Sequence, residues 1–396
     1  MSVKSTKTSW FITIVAVIGM LVMYFLQDKD IAQGEYTFRP VSPLTSKTKP
    51  TQGREMISIS EVKALKPNQM IDISEYPVGE INIQKLTENS YWIMHNLHVI
   101  TMYIGEKEVL LVDAPEDLFA DRLLKRIAKL TDNPVTTLVY SHPHLDHIGG
   151  AQNLVDALAK KQQSLKIIAT DQFVKASTLY KQKIPQPTEI IPTPVGYFEF
   201  DNKKFKVGTP MTVAHSIADS YILFPDKIIT FIDFIYAGRL PLHGYSGVQN
   251  MTGYVNFLRH VAGEDWIFAN TGHNNVSSPQ DLDFMLQYTK DIYDAWFRAI
   301  NDNWGLPEYL RGKVKGDYVA VWLRNVFDKV AFQIAKELEP KYGHYPQFEL
   351  AIDHALKVQW DGFLHYDFTH HPDIRPDFSP IDPLEPLLVT TTNLIN

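Results

Sequence analysis

Thr136 to Gly150, TTLVYSHPHLDHIGG, is the stretch that most narrows what this chain can become. β-Branched and apolar residues at Val135, Leu138 and Val139 predict a strand that stops at Ser141. A short loop then carries His142, His144, Asp146 and His147, and a helix is expected from near Ile148. Four metal-capable side chains thus fall within six residues. Imidazole and carboxylate are the ligands of zinc and other first-row divalent ions. Alternate residues of an extended loop point the same way, so His142 and His144 can grip one ion. Asp146 and His147 then face a second position. Gly149 and Gly150 permit the tight turn that brings the helix start close to the metals. A merely polar surface loop has no reason to hold this spacing.

HPHLDH is similar to the HxHxDH signature of the metallo-β-lactamase fold superfamily, and the order of strands and later ligand residues is similar too. The resemblance covers roughly Ile81 to Gln287. It implies an α/β fold: the αβ/βα four-layer metallo-β-lactamase sandwich, with metals at one edge between two sheets and, here, a mostly helical C-terminal extension.

With 396 residues, 45% of them hydrophobic, the chain can build one large domain or two ordinary ones. A net charge of −7 with no long basic run argues against nucleic acid as a partner, because a groove for phosphates needs clustered Lys and Arg. There is no cysteine, which excludes disulfides, thiolate ligands and lipid attachment through a cysteine. Any metal must be held by histidines and carboxylates.

Trp10 to Leu26 is an uncharged apolar run, preceded by Lys4 and Lys7 and followed by Gln27, Asp28, Lys29 and Asp30. As a helix it would span about 26 Å, enough for a thin bilayer. A cleavable signal peptide is the competing reading. Its apolar part is usually shorter, and small residues are missing directly after Leu26, with Ala32 the nearest. The expectation is a membrane anchor with the lysine-bearing end in the cytoplasm and the catalytic domain extracytoplasmic, periplasmic in a Gram-negative cell. Secretion after cleavage is the alternative. Residues 1–30 are read as anchor or signal sequence, 31–75 as tether, 76–300 as catalytic domain and 301–396 as a helical extension packed on it. Gln27 to Glu55, rich in Pro, Thr, Ser and Lys, suits a tether or an irregular arm packed on the domain.

From Ile81, the runs INIQKL, SYWIMHN, VITMYIG and EVLLVDAP predict a mostly antiparallel sheet. The last ends at Asp113, which in the resembling family supports a metal-binding histidine, and which could equally cap a helix near Pro115. Glu116 to Thr131, with Leu118, Leu123, Leu124, Ile127 and Leu130, reads as an amphipathic helix. After the metal loop come a helix (Ala151 to Lys160), a strand (Leu165 to Thr170), a helix (Gln172 to Gln182) and strands near Phe198 to Val207. Ser278-Pro279-Gln280-Asp281 is a strong helix start, leading to about Asn301. Tyr318 to Leu338 is helical, with Val319, Val321, Trp322, Val326, Phe327, Val330 and Ile334 on its apolar side. The proline-rich tail beyond Asp373 is expected to wrap the surface, and His370-His371 lacks metal spacing and reads as a polar turn.

Three further residues complete the ligand set that the resemblance implies. MTVAHSIADSYILF places His215 just after a short apolar strand, where the family has the third ligand of the first metal. KIITFIDFIY puts Asp233 inside a very apolar strand, where an unpaired carboxylate would be costly; by resemblance it bridges two ions. WIFANTGHNN delivers His273 after a strand and a glycine, similar to the family's last ligand. The implied centre has His142, His144 and His215 on one ion, Asp146, His147 and His273 on the other, and Asp233 with a hydroxide between them. The expected cofactors are two divalent ions, zinc first. Ions roughly 3.5–4 Å apart acidify a bridging water and polarise a carbonyl or phosphoryl oxygen.

The implied activity is hydrolysis of a small-molecule ester, lactone or thioester. β-Lactamases of this fold lack the bridging Asp, and one group uses a cysteine that this chain does not have. Asp146 and Tyr236 are the catalytic candidates. Tyr236 stands three residues after Asp233, as in acyl-homoserine-lactone lactonases of the fold, whose phenol donates to the substrate carbonyl; ordinary packing is the other reading. Arg239 and His243 are candidate substrate contacts or members of a solvated loop. A phosphoester hydrolase, or a membrane-tethered metal-binding accessory protein without turnover, is the alternative class.

Overall fold

Alternating apolar runs between Ile81 and Val112 fold as antiparallel neighbours: β3 (Ile81–Lys85), β4 (Ser90–His95), β5 (His98–Ile104) and β6 (Val109–Val112). They follow a short parallel pair, β1 (Glu55–Ile57) and β2 (Gln69–Ile71). β7 (Val135–Val139), β8 (Lys166–Thr170) and β9 (Glu189–Ile191) then add in parallel, giving a seven-stranded sheet in chain order. Parallel strands need crossovers, and these are supplied by α1 (Ala120–Ile127), α2 (Leu145–Ile148), α3 (Ala151–Ala159) and α4 (Asp171–Leu179). This computed structural model describes residues 53–76, 79–115, 119–305 and 318–384.

A second, five-stranded sheet contains β10 (Val195–Phe200), β11 (Lys203–Gly208), β12 (Tyr221–Leu223), β13 (Ile228–Phe231) and β14 (Phe268–Asn270). Its parallel pair, β13 and β14, is joined through α5 (Met251–Gly263). Three more helices follow: α6 (Pro279–Asn303), α7 (Tyr318–Tyr342) and α8 (Ala351–His365).

The period of two along each strand divides the core into layers. Leu110 and Ile168 of the first sheet face Ile222, Ile228 and Phe205 of the second. Their neighbours Leu111 and Ile167 turn outward against Leu123, Leu154 and Phe173 of the first helix layer. Tyr221 and Ile229 turn outward from the second sheet against Phe257, Met285, Trp296 and Val330. The result is the expected αβ/βα four-layer sandwich, with α6, α7 and α8 thickening the second helix layer.

Local differences from the sequence expectations have simple causes. The first helix is shorter than Glu116 to Thr131: it runs from Ala120 to Ile127, and Leu118 lies outside the described residues. α7 extends to Tyr342, but Val319 and Val321 are exposed because its buried stripe runs through Val326, Phe327, Val330, Ile334 and Leu338. α6 begins where expected, and there Ser278 and Asp281 serve each other in a capping box, while Asp281 also meets buried Arg54 at 2.6 Å. The tail lies on α5 through Arg259 with Asp377 and Ile381 N donating to Arg259 O at 3.1 Å. His370 and His371 are exposed, and His370 pairs with Asp367. Trp10 to Leu26 lies outside the described residues, and no described helix is long and apolar enough to cross a membrane.

Candidate metal centre

Every proposed ligand leaves the end of a strand or a loop at one edge of the sandwich. His142 to His147 follow β7, Asp233 follows β13, His273 follows β14, and His215 stands in the loop between β11 and β12. Backbone contacts fix how closely these segments approach. Ala114 N donates to His147 O, and Gly150 N donates to Ala114 O, both at 2.8 Å. A Cβ at Gly150 would collide with the Pro115 carbonyl. Gly272, at φ 86°, leaves room for the His147 ring, which a Cβ would meet at 2.8 Å.

Two groups of side chains that could hold a metal ion result, and they share Asp233. In the first, His144 Nδ1 lies 2.9 Å from His215 Nε2, and Asp233 Oδ2 lies 3.3 Å from His215 Nε2 and 3.8 Å from His142 Nε2. In the second, His147 Nε2 is 3.3 Å from Asp146 Oδ2 and 3.1 Å from Asp233 Oδ2, while His273 Nε2 is 3.2 Å from Asp233 Oδ1. These separations bracket the edge of about 3.3 Å expected for a tetrahedron of zinc ligands. Two imidazole nitrogens aimed at one another repel unless a proton or a cation sits between them. His142 Nε2 and Asp233 Oδ1 are buried without a hydrogen-bond partner. The donor set therefore fits divalent ions.

Surrounding residues orient the rings. Asp113 accepts from Ser141 N at 2.9 Å and from Ser141 Oγ at 2.7 Å, and that hydroxyl lies 2.9 Å from His142 Nδ1. Asp113 thus supports His142 through Ser141, and it is not a helix cap: the next helix is capped at Phe119. His273 Nδ1 lies 3.0 Å from Leu97 O, which leaves Nε2 for the centre. Asp219 accepts from Ser216 N and Oγ, bracing the turn after His215. Asp113 and Asp233 both hold left-handed backbones, φ 67° and 69°, a strained conformation for non-glycine residues.

The charged groups of the site lean on one another. Burial opposes charge on His147, but Asp233 beside it lifts the pKa to about 9. Burial favours protonated Asp233, yet His147, His215 and His273 hold its carboxyl well below the usual range. Burial and the neighbouring His215 push His144 down to about 4. The carboxylate of Asp233 thus favours positive charge at its neighbours, which suits a dication held between them.

Three local expectations are corrected. Asp146 and His147 sit on the one-turn helix α2, which starts at Leu145 rather than near Ile148. His215 does not follow a strand: Met211 and Val213 are exposed, and the backbone there bends so that Ala214 O can accept from Gln249 N and Asn250 N. Asp233 is not inside a strand, since β13 ends at Phe231, and Asp233 N donates to Thr271 O at 3.1 Å in the turn beyond. Burial continues through Phe234, Ile235 and Tyr236, so apolarity did not mark the strand end.

Tyr236 is buried with its ring centroid 6.2 Å from that of His273. Burial and the charge of Asp233 raise its phenol pKa well above the usual value, while a hydrogen bond with Ser246 opposes that rise. Arg239 is half-buried; His243 is exposed and faces Asp353 at 3.4 Å. His98 is a residue that sequence reasoning missed. It bridges to His273 across the sheet edge and reaches Asp146 Oδ2 at 3.7 Å. Burial raises the Asp146 pKa, but contact with His98 and the charge of His147 outweigh it and bring it below the usual range.

Residues 91–248 match the family model described as the metallo-beta-lactamase superfamily. This segment is similar to that superfamily and carries six of the seven candidate ligands, His273 lying beyond it. Within and just beyond the matched residues lie the two side-chain groups that could hold a metal ion. No curated protein matches the chain. Among solved structures, a double mutant of the sec-alkyl sulfatase PisA1 is similar at 14% identity and a TM-score of 0.49, covering 74% of this chain and 52% of that one. The match thus spans about half of the sulfatase's length. The DIM-1 metallo-beta-lactamase is similar at 17% identity and 0.42, covering 52% of this chain and 95% of that one. A metallo-beta-lactamase from Pontibacter korlensis is similar at 12% identity and 0.43, covering 52% and 96%.

Proposed function

We propose that this chain is a dinuclear metal-dependent hydrolase of a small-molecule ester, lactone or thioester, held to a membrane by the Trp10 to Leu26 segment with its catalytic domain outside the cytoplasm. The observation that carries the catalytic reading is the sharing of Asp233 by two ligand groups, with Oδ2 toward His147 and His215 and Oδ1 toward His273. When bound, a pair of divalent ions, zinc by the character of the donors, supplies Lewis-acid polarisation and an acidified water.

The chain's own residues do the rest. Asp233 offsets the charge of two dications, and the Asp113–Ser141 pair keeps the His142 ring fixed. The Tyr236 phenol stays protonated and can donate a hydrogen bond to the oxygen that gains charge as the acyl carbon becomes tetrahedral. Asp146 is half-exposed while His142, His147, His215 and Asp233 are buried, and its ionised carboxylate can take the proton of the attacking water and pass it to the leaving oxygen or sulfur. Hydrolysis joins the water's OH to the acyl carbon, breaks the C–O or C–S bond and sends the proton out with the alcohol or thiol.

The test is a panel of lactones, carboxylic esters, thioesters and phosphoesters offered to purified protein of measured metal content. Turnover of one of the three acyl classes is expected. Turnover of phosphoesters alone would move the assignment to that class, and full metal occupancy with no turnover would contradict catalysis.

A further inference from the structure

The hairpin between β4 and β5 closes on the segment that carries His273. Val99 N donates to Gly272 O at 2.8 Å, His273 Nδ1 lies 3.0 Å from Leu97 O, and His98 itself pairs with His273 in an antiparallel bridge. Just behind, the Asn270 side chain donates to Thr101 Oγ1 at 2.8 Å and ties β14 to β5. An imidazole at this point is therefore fixed from the backbone outward, where the first and second sheets meet.

The ring of His98 lies among the second group of candidate ligands. Its centroid is 4.9 Å from that of His273 and 5.5 Å from that of His147, the latter edge-on at 87°. Nε2 faces a third member of the group, 3.7 Å from Asp146 Oδ2. That is ion-pair contact, longer than a hydrogen bond, and His98 stands outside both groups that could hold an ion. It touches three candidate ligands of the second ion without being one.

Asp146 is the member of this group that needs holding. His147 and Asp233 are buried, whereas Asp146 is half-exposed on a one-turn helix. A carboxylate at the surface has several accessible rotamers, and fixing one of them costs side-chain entropy. Asp146 Oδ2 meets His147 Nε2 at 3.3 Å, His98 Nε2 at 3.7 Å and His273 Nε2 at 3.8 Å. Two of these nitrogens belong to candidate co-ligands. His98 is the ion-pair partner, among the described residues, that stays with the carboxylate once those two turn to an ion. The first group has no exposed carboxylate to steady, since His142, His215 and Asp233 are all buried.

Given the dinuclear centre of the proposed function, we infer that His98 is a positioning residue for the second metal site. It holds the Asp146 carboxylate turned inward and so sets how tightly the second ion is kept, while the first ion depends on its three histidines.

The experiment titrates zinc into full-length, metal-free protein against a competing chelator, for wild type, His98→Gln and His98→Phe. Wild type should take two ions. His98→Phe keeps a ring and removes the N–H, so the dissociation constant of the second ion should rise ten- to a hundredfold with the first unchanged. His98→Gln keeps a side-chain N–H and should fall between wild type and His98→Phe. A histidine that only supports the fold would weaken both ions alike and lower the melting temperature. Equal second-ion affinity in wild type and His98→Phe, or equal weakening of both ions, therefore overturns the assignment. If His98→Phe loses its fold by circular dichroism, His98→Gln is read in its place against the same outcomes. One ion or none in wild type would end the dinuclear reading and this assignment with it, whereas two ions held equally well by wild type and variant would end the assignment alone.

Discussion

Tyr236 is the residue on which the acyl substrate class turns. Tyr236→Phe removes one donor to the developing oxyanion while keeping the ring, and should reduce turnover ten- to a thousandfold with metal content unchanged. Steady-state kinetics on the best substrate of the panel checks it, and unchanged turnover would return Tyr236 to a packing role. Ser141 makes a separate claim. Ser141→Ala unlinks His142 Nδ1 from Asp113 and should weaken metal binding ten- to a hundredfold, read by competition with a chelator. Equal affinity would show that the relay does nothing for the ring. The ligand candidates were legible from sequence because HPHLDH packs four of them into one loop, and the other three stand in segments whose order resembles the family's. His98 was not legible: an imidazole at the start of a strand acquires meaning only once the sheet edge brings it against His273 and Asp146. Asp219 was hidden for a similar reason, since its task is to brace a turn through Ser216.

Among the elements, strands of the first sheet were readable because alternating residues serve two different cores. The segments before His215 and around Asp233 were not, because one is exposed where it is apolar and the other is buried well past its strand. Helix α8 escaped notice because its buried face carries His354, Gln359 and Asp361 among the apolar residues. His354 lies 2.9 Å from Tyr288 OH through Nδ1, against the loop that carries Pro241 and Leu242. Burial lowers its pKa to about 4 in the folded chain. The unfolded imidazole takes up a proton at about 6.5, so the unfolded state binds more protons between these values and stability falls as pH drops through that window. The loss should reach on the order of 3 kcal/mol, and His354→Gln should remove that part of the pH dependence. Urea denaturation of both proteins at either end of the window checks it; parallel pH profiles would contradict a buried neutral histidine.

For the whole molecule, the two sheets and their helix layers bring seven candidate ligands from distant parts of the chain to one edge, and α6 and α8 support the loop that leaves the centre. The anchor reading belongs to this scale: full-length protein should stay with membranes after a salt wash, and a reporter fused after Asn396 should be active outside the cytoplasm. Recovery of a soluble form beginning near Gln33 would establish cleavage instead. The most direct test of the account is the metal content of wild type and Asp233→Asn, measured by elemental analysis alongside hydrolysis. About two ions per chain are expected in the wild type. The variant should remain folded, keep about one ion on the three-histidine group and lose hydrolysis by on the order of a hundredfold or more. One ion or none in active wild-type protein, or a variant of lower stability with unchanged metal content, would contradict a bridging Asp233 and the mechanism built on it.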